Sequence, residues 1–578
     1  MNASEELLKP HAGKEERVTP VLSEVHCRTE ECEMELNIGV FMDGTGNNWE
    51  WVEGGTLTQF ERQKDSNIYR LSKAYPHKPS NGHFRIYVPG VGTPFEGIAD
   101  EGGAAGQGAG AGGDGRINFA LLQVLNSIAR SLNDDGYQMF QKEVITALCR
   151  NGKRKYDSHG NPLPWPKGDA SQLKRVQMES KGGLLRDPGD AQRRAFFQEW
   201  CAKVAKDVAK CKPRIKRIVL DVFGFSRGAA EARVFCTWLG ELMPAGKLCG
   251  VPAQVRFLGL FDTVASVGLP HSAPLIGDWV DGHLDWASAE TLRIGTHVQR
   301  CVHYVAMHEQ RASFPLDTVR NPDGSLPAHC QQFALPGMHS DIGGGYTPQE
   351  EGRGPDGRDS QKLSQIPLNL MYEAALQAQV PLDKEAANAD SIEAGYDPFA
   401  IDPVLQQAYD AFTAAMGPQP RRLREWLMPY LCWRYQVRDT YTKLPWVERA
   451  SHGDRENLSN ANNGFLADLA LLESPVRSYV RDVVDLGPGI GPANNIRKHV
   501  QLESEAGEIA DYIRKAAPVA PALANFFADY VHDSYGGFTL FAGVHEPAGY
   551  LRYRRQYMGN DTALTLNDRR GESGVRHA

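Results

Sequence analysis

A short glycine-serine-glycine motif lies between a strand-like run and a helix-like run of this sequence. The motif is Gly-Phe-Ser-Arg-Gly at 224–228; it follows the apolar run 218–223 and precedes the helix-like run 229–235. A G-x-S-x-G pentad at such a junction forms a sharp turn, in which glycines on both sides let neighbouring chains pass close to the serine. The turn lifts the serine hydroxyl above the sheet edge, at the positive end of the following helix. The pentad therefore predicts a nucleophilic serine at Ser226; a purely structural glycine-rich turn is the alternative.

The overall composition is that of a globular protein. The chain has 578 residues, of which 41% are apolar and 23% are charged, and its length allows two to four domains or one large α/β enzyme with insertions. The net charge of −8 argues against a nucleic-acid partner, because nucleic acids bind to concentrated basic surfaces. The ten cysteines are scattered without metal-like spacing, so we expect free thiols, although Cys27 and Cys32 are close enough for a disulfide.

The sequence shows no export signal and no membrane-spanning run. The N-terminal arm, 1–33, is charged and lacks the apolar core of a secretory signal peptide. No stretch of about eighteen apolar residues occurs. We therefore expect a chain that is made in the cytoplasm, and that another machine exports if it acts elsewhere.

Short β-branched runs alternate with helix-like segments through the first two thirds of the chain. Strands separated by helices indicate βαβ crossovers, and hence a mostly parallel sheet with helices on both faces. Loops that form an active site then lie at the carboxyl ends of the strands. Together with the pentad, this pattern predicts an α/β-hydrolase-like fold. The predicted strands are 36–42, 84–88, 215–223, 255–261, 301–307 and 331–335, and the predicted helices include 117–132 and 191–210.

The rest of the chain departs from this alternation. Segment 151–190 is polar and rich in Pro, Gly and Lys, which indicates a surface insertion, and 100–115 is a glycine-alanine tract without a phosphate-binding signature. Helical patterns dominate 386–530. We therefore predict a catalytic domain at 34–385, a largely helical region at 386–530, and a C-terminal segment at 531–578 that returns to the catalytic domain.

Two stretches of the helical region have the composition of membrane-interface helices. Segment 421–433 mixes arginines with aromatic residues, and 516–531 is apolar with two prolines and two phenylalanines. At an interface, basic side chains contact head groups and aromatic side chains enter the acyl boundary. Packing of both stretches onto a protein core is the alternative interpretation.

A serine nucleophile needs a histidine base and an acid that orients this histidine. The order on this fold is serine, acid, histidine. Asp262 ends the strand after the pentad, where a triad acid belongs; Asp221 is nearer in sequence but lies inside the preceding strand.

The best candidate for the base is His339, which follows a predicted strand and is flanked by glycines. His532 is the second candidate. Asp341 would either support His339 from behind or replace Asp262 as the acid. His297, His303 and His308 lie in or beside a strand, so we interpret them as structural.

The loop 41–48 supplies the remaining part of such a site. An oxyanion hole needs two backbone N–H groups, of which Arg227, after the nucleophile, gives one. Gly44 or Thr45 would give the other, with Asp43 pinning the loop. The Asp-Gly-Thr sequence also resembles the signature of haloacid dehalogenase phosphatases, but their nucleophilic aspartate is replaced here by Phe41.

Five motifs in this order resemble one family. They are 41–48, 88–93, 224–233, 261–264 and 336–346. The combination resembles the first family of type VI secretion lipase effectors, antibacterial phospholipases with an α/β-hydrolase core. The resemblance covers about 35–347, and 531–534 is similar to a feature near the family's C-terminus. Where such proteins often carry an acidic-Arg-Arg turn, this chain has His-Glu-Gln-Arg at 308–311, a difference that concerns structural detail only.

The resemblance implies a function and partners. Ser226 would be the nucleophile, His339 the general base and Asp262 the orienting acid, with no metal or other cofactor. The substrate would be an acyl ester of a membrane glycerophospholipid, cut with phospholipase A2-like or A1-like specificity in the envelope or periplasm of a target cell. A VgrG-like secretion spike and a cognate immunity protein would be the partners, and the helical region would contact the membrane.

The residues themselves, without the resemblance, leave other functions open. They lead to a serine esterase of the α/β-hydrolase type and do not reach lipid. A cytoplasmic carboxylesterase or thioesterase fits equally well, and a non-enzymatic α/β scaffold remains the third reading.

Overall fold

The structure is a computed structural model that describes most of the chain. The described residues are 33–48, 65–103, 112–133, 136–149, 169–178, 191–210, 214–266, 283, 286–387, 397–417, 422–473, 480–482, 499–501, 505–538 and 549–560. Several expectations therefore concern residues outside this set: nearly all of the N-terminal arm with Cys27 and Cys32, the middle of the glycine-alanine tract, and most of the 151–190 insertion. Within that insertion the structure shows one helix, Asp169–Arg175.

The centre of the fold is a sheet of seven strands. All six predicted strands occur in it, with ends that differ by a few residues from the prediction. The strands of the described chain are β1 Glu33–Met42, β2 His83–Val88, β3 Arg214–Phe225, β4 Lys247–Leu248, β5 Val251–Phe261, β6 Cys301–Ala306, β7 Leu316–Asp317, β8 Cys330–Leu335, β9 Val480–Asp482, β10 His499–Gln501 and β11 Gln556–Tyr557.

Six strands run parallel in the order β2-β1-β3-β5-β6-β8. The short β4 pairs antiparallel with β5. The central strands are rich in apolar residues because both faces of the sheet are covered, as is usual for parallel sheets. Two smaller pairings are separate from this sheet: β9 with β10, and β7 with β11. The predicted fold class is confirmed.

Helices cover both faces of the sheet. Alternate side chains of a strand face opposite sides, so Val40 and Val222 belong to the apolar cluster on one face and Phe41 and Phe223 to the cluster on the other. The helices of the described chain are α1 Asn67–Ala74, α2 Gly113–Ser131, α3 Lys142–Cys149, α4 Asp169–Arg175, α5 Ala191–Val208, α6 Arg227–Glu241, α7 His339–Gly343, α8 Gln365–Gln377, α9 Pro403–Met416, α10 Leu423–Val437, α11 Pro445–Arg449, α12 His452–Glu473, α13 Ala506–Lys515 and α14 Pro521–Asp529.

The helical region packs around an apolar core that it shares with residues of β6 and β8, and the aromatic side chains of its two interface-like stretches lie in this core. Trp426 and Trp433 of α10 pack in this core together with Phe526 and Phe527 of α14. All four side chains are buried, so they are not placed to enter a bilayer. The physical reason is that α10 and α14 bury their aromatic side chains against each other. Among the described helices, none has both the length and the apolar character needed to cross a membrane.

The C-terminal segment returns to the sheet domain. Strand β11 pairs parallel with β7, which places Gln556 opposite Leu316 and Tyr557 opposite Asp317. Leu316 and Thr318 donate backbone hydrogen bonds to the carbonyls of Arg555 and Tyr557, at 2.9 and 3.0 Å. These contacts fix residues 549–560 against the loops that follow β6.

Candidate active site

The pentad forms a strained turn between β3 and α6. Ser226 has φ 58° and ψ −125°, a backbone conformation that non-glycine residues rarely adopt and that often marks a functional position. A Cβ atom on Gly228 would lie 2.3 Å from the carbonyl oxygen of Asp43, and one on Gly224 would lie 2.5 Å from the carbonyl oxygen of Gly228. Both glycines are therefore required by close packing, which is the reason that the sequence analysis gave for them.

The structure brings Ser226, His339 and Asp262 into one hydrogen-bonded chain. The Nε2 atom of His339 lies 2.8 Å from the Oγ atom of Ser226, and its Nδ1 atom lies 2.5 Å from Oδ2 of Asp262. Ser226 follows β3, Asp262 follows β5, and His339 begins α7 shortly after β8. The three side chains therefore meet at the carboxyl edge of the sheet, where a nucleophile, base and acid are expected.

Asp262 is held by four hydrogen bonds. Its Oδ1 atom accepts from the backbone N–H of Ala306 at 2.8 Å and from Nη1 of Arg554 at 2.7 Å, and its Oδ2 atom accepts from His339 and from Nη2 of Arg554 at 2.8 Å. Burial alone would raise the pKa of this carboxyl, but Arg554 and His339 hold the pKa well below its usual range. The acid is therefore ionised and fixed in orientation.

His339 lies in an aromatic surrounding. The rings of Phe225 and Phe314 are centred 4.8 and 4.9 Å from the imidazole. Burial lowers the pKa of His339 below its ordinary value, and the hydrogen bond that His339 donates to Asp262 opposes this shift only in part. The imidazole is thus neutral near pH 7, as a general base requires.

The competing candidates are placed elsewhere in the structure. Asp221 is buried inside β3 and accepts hydrogen bonds from Tyr75 at 2.9 Å and from Arg256 at 2.9 and 2.6 Å. His532 does not contact Ser226; its Nδ1 atom lies 2.6 Å from Oδ1 of Asp341. Neither residue joins the hydrogen-bonded chain.

Asp341 supports the helix that begins with His339. Its Oδ2 atom accepts from the N–H of Met338 at 2.9 Å, a bond that satisfies the first turn of a helix. His532 holds the other carboxylate oxygen and stacks on Tyr346, with ring centroids 3.7 Å apart. Asp341 therefore lies behind His339. This position corresponds to the first of the two expectations, in which Asp341 supports His339, and not to the second, in which it replaces Asp262 as the acid.

The three histidines that we interpreted as structural make internal contacts. His303 accepts from the N–H of Thr263 at 3.1 Å, and His308 accepts from the N–H of Gly337 at 3.0 Å. His297 lies 2.8 Å from the carbonyl oxygen of Cys236. Burial lowers the pKa of His303 and His308 to about 3 in each case, so both stay neutral.

The loop 41–48, here called the oxyanion loop, contains the two candidate donors, Gly44 and Thr45. The structure distinguishes between them. The N–H of Gly44 donates to Oδ1 of Asp43 at 2.7 Å, so it is already engaged. The N–H of Thr45 donates to no acceptor within the described part of the chain. Its Oγ1 atom accepts from Nε of Arg227 at 2.6 Å, which ties the loop to the start of α6. Of the two candidates, Thr45 therefore has the backbone N–H that the described residues do not engage, and it lies next to Arg227.

The Asp43 carboxylate makes hydrogen bonds within this loop and to β2. Besides its bond from Gly44, the carboxylate accepts from the hydroxyl of Tyr87 at 2.5 Å. Burial raises the pKa of Asp43 to about 6, against hydrogen bonds that lower it. A Cβ atom on Gly90 would lie 1.8 Å from the carbonyl oxygen of Gly44, so the 88–93 loop packs directly onto the oxyanion loop.

The turn at 308–311 is closer to the site than the sequence suggested. The Oε2 atom of Glu309 accepts from the backbone N–H of His339 at 3.3 Å. Arg311 pairs with the same carboxylate at 2.8 Å, and its guanidinium lies 3.8 Å from the ring centre of Phe314. The turn therefore lies beside the candidate base, which Glu309 contacts directly.

Arg554 was missed by the sequence analysis. It lies 292 positions from Asp262, in a segment where no motif marks it. Runs of basic residues near a C-terminus are common on protein surfaces, so the sequence gives no signal that one of them is buried on a carboxylate. Its position beside Asp262 depends on the pairing of β11 with β7, which only the structure reveals.

Comparison with known proteins agrees with the resemblance seen in the motifs. Residues 244–374 match the model of the catalytic domain of type VI secretion phospholipase effectors of the Tle1-like kind. This segment includes Asp262 and His339. The resemblance to type VI secretion lipase effectors is thereby confirmed over this segment.

Two solved structures are similar to the chain. The crystal structure of an uncharacterized protein from Pseudomonas aeruginosa matches with a TM-score of 0.69 and 24% identity, over 91% of this chain and 80% of that chain; it shares the fold. The structure of the Tle1 effector bound to the VgrG spike from the type VI secretion system matches with a TM-score of 0.33 and 17% identity, over 69% of this chain and 83% of that chain. In a comparison with curated proteins, nothing matches.

Proposed function

We propose that this protein is a serine phospholipase of the A type, which acts as an antibacterial effector. The observation that carries the proposal is the hydrogen-bonded chain from Ser226 through His339 to Asp262, at 2.8 and 2.5 Å. The family match to a phospholipase effector catalytic domain over residues 244–374 supports the lipid substrate.

The geometry supports a two-step acyl transfer. His339 Nε2 takes the proton of the Ser226 hydroxyl while Oγ attacks the ester carbonyl, and a tetrahedral intermediate forms. The oxyanion would accept hydrogen bonds from the backbone N–H groups of Thr45 and Arg227. Arg227 is the first residue of α6, and the Thr45 side chain is hydrogen-bonded to it. The intermediate then collapses, His339 protonates the leaving lysophospholipid oxygen, and Ser226 carries the acyl group.

Water completes the reaction by the same groups. His339 takes a proton from water, whose oxygen attacks the acyl-enzyme carbonyl, and then returns that proton to Ser226 as the fatty acid leaves. Asp262 stays ionised throughout, because Arg554 and the Ala306 N–H hold its carboxylate. Its role is to keep the Nδ1 proton of His339 in place and to stabilise the transient imidazolium.

The family match to type VI secretion effectors supports a proposal about delivery, and the spike and immunity partners are carried over from the resemblance of the motifs. We propose transport by type VI secretion into the envelope of a target cell, on a VgrG-like spike, with a cognate immunity protein that protects the producing cell. Bacterial expression of the chain with and without an added export signal tests this part. Toxicity only when the chain is exported is expected, and toxicity only from the cytoplasm would contradict it.

Position-labelled lipid tests the substrate and the bond. Phosphatidylethanolamine that carries labelled acyl chains at sn-1 in one sample and at sn-2 in the other is expected to release labelled fatty acid and lysophospholipid. Cleavage of a short soluble ester without cleavage of lipid would favour the carboxylesterase or thioesterase. The burial of Trp426, Trp433, Phe526 and Phe527 makes this control necessary, since these side chains do not form a lipid-facing surface.

A further inference from the structure

We propose that Arg554, which the C-terminal segment brings to the site, is a positioning residue of the catalytic centre that holds Asp262 in place. The inference rests on the proposed function, because it assigns the electrostatic setting of that same triad. It makes catalysis depend on a stretch of chain beyond the helical region.

In the contact between Arg554 and Asp262, both terminal guanidinium nitrogens donate to the two carboxylate oxygens. Nη1 lies 2.7 Å from Oδ1 and Nη2 lies 2.8 Å from Oδ2, which is the two-pronged geometry that favours arginine over lysine. Arg554 is 6% exposed and Asp262 is fully buried. A third donor, Nε, bonds to the carbonyl of Phe314 at 2.7 Å.

The third contact links the pair to the base. The ring of Phe314, whose carbonyl accepts from Arg554, packs edge-on against His339. Arg554 therefore supports the acid directly and one wall of the imidazole through the backbone of Phe314. A side chain that only neutralised charge would not need both contacts.

The fold fixes where Arg554 points. β11 begins two residues later, and its pairing with β7 sets the register of the segment. The carbonyl of Tyr557 accepts from both the N–H and the hydroxyl of Thr318, at 3.0 and 2.9 Å. Tyr557 itself is buried.

Asp262 needs a counter-charge that His339 does not provide. A fully buried carboxylate is unstable without a paired cation or several donors. His339 is neutral in the resting state, and it engages only Oδ2. Asp262 also has φ 40°, an unfavourable backbone conformation that surrounding contacts must maintain.

The charge of Arg554 also acts on the base. Burial is the main cause that lowers the pKa of His339. Arg554 lowers this pKa further because its charge opposes the formation of imidazolium, whereas Asp262 and Glu309 raise it. Glu309 is itself paired with Arg311 at 2.8 Å, and Asp341 with His532 at 2.6 Å. His303, which packs behind Asp262, is neutral because its pKa is about 3.

The pH dependence of serine labelling measures this effect without a lipid substrate. A fluorophosphonate reacts with the activated serine, and its second-order rate constant falls at low pH as the base becomes protonated. We compare wild type, Arg554→Met and Arg554→Lys with Arg555→Met, a matched control at the adjacent, half-buried position. Thermal unfolding of each variant reports the fold.

Loss of the charge of Arg554 and loss of its two-pronged contact with Asp262 have different expected results. Arg554→Met moves the acid limb to higher pH and lowers the plateau rate about tenfold to a hundredfold. Arg554→Lys keeps the charge but not the two-pronged contact, so the limb stays in place and the plateau falls about tenfold. Arg555→Met behaves as wild type.

The outcomes separate this inference from the proposed function. A folded Arg554→Met variant with the wild-type limb and rate would overturn the inference, as would wild-type labelling of Arg554→Lys if the Met variant does not fold. Equal labelling of Ser226→Ala and wild type would instead overturn the proposed function. In that case the label does not report Ser226, whatever Arg554 does.

Discussion

The Nε2 atom of His339 lies 2.8 Å from the Oγ atom of Ser226, although 113 positions separate the two residues in the chain. β3, which precedes Ser226, and β8, which precedes His339, are separated in the sheet by β5 and β6. β5 carries Asp262 at its end. The chain of hydrogen bonds therefore crosses one edge of the sheet, and the parallel order of the strands brings the three side chains together.

The pH dependence of hydrolysis should follow the ionisation of His339. Its ordinary pKa is 6.5, and burial lowers it. The active form is neutral, so activity is present above the lowered pKa and is lost as the pH falls through it. We expect the acid limb of kcat/KM for a soluble ester to lie below pH 6.5, with no loss between pH 6.5 and 8. A limb clearly above pH 6.5 would mean that another group acts as the base.

Replacement of the two histidines should have unequal effects. His339→Ala removes the base and should lower kcat by about 10⁴-fold or more. His532→Ala removes only the contact that supports Asp341, so we expect a loss of about 1–3 kcal/mol in the free energy of unfolding and less than a tenfold loss of activity. Ester hydrolysis and thermal unfolding of both variants decide the matter, and the reverse order of activities would assign the base to His532.

Gly228 should be intolerant of any side chain. A Cβ atom there would lie 2.3 Å from a backbone oxygen of the oxyanion loop, so Gly228→Ala should destabilise the fold by at least about 1–3 kcal/mol and impair hydrolysis. Gly507→Ala is the matched control, because this glycine is also the second residue of a helix and has open space around its Cβ position. That change should be neutral or stabilising by about 0.4–1 kcal/mol. Equal unfolding midpoints for the two variants would contradict the packing argument.

A chelator should leave hydrolysis unchanged. The proposed mechanism uses His339 as the base and backbone N–H groups for the oxyanion, and neither requires a metal ion. Within the described ranges, no group of three or more His, Cys, Asp or Glu side chains is placed to hold one. We expect the same rate of ester cleavage before and after treatment with EDTA. A loss that added Ca²⁺ restores would indicate a calcium-dependent lipase instead.

The sequence was most informative where a short local pattern is compatible with only one backbone structure. A pentad between an apolar run and a helix requires a tight turn, and Gly224 and Gly228 have the close contacts that such a turn implies. The strands were predictable because most of them are short runs rich in apolar and β-branched residues, which is typical of strands buried on both faces. Asp262 and His339 followed from their positions at strand ends.

The remaining features depend on contacts that the sequence does not encode locally. The aromatic residues of α10 and α14 have the composition of an interface helix, and only tertiary packing shows that they are buried. The choice between Gly44 and Thr45 depends on one hydrogen bond from Gly44 to Asp43. Arg554 reaches Asp262 through a strand pairing of two residues, which is too short to be recognised in a sequence.

The most direct test is acyl-chain release from vesicles of phosphatidylethanolamine and phosphatidylglycerol by wild type and Ser226→Ala, without added metal. Loss of a triad serine typically costs about 10⁶-fold in kcat, and the change removes a single oxygen atom from a buried side chain. We therefore predict fatty acid and lysophospholipid from wild type only, with unchanged thermal unfolding of the variant. Equal release by the two proteins would contradict the assignment of Ser226 as the nucleophile, and release by neither would contradict the assignment of phospholipid as the substrate.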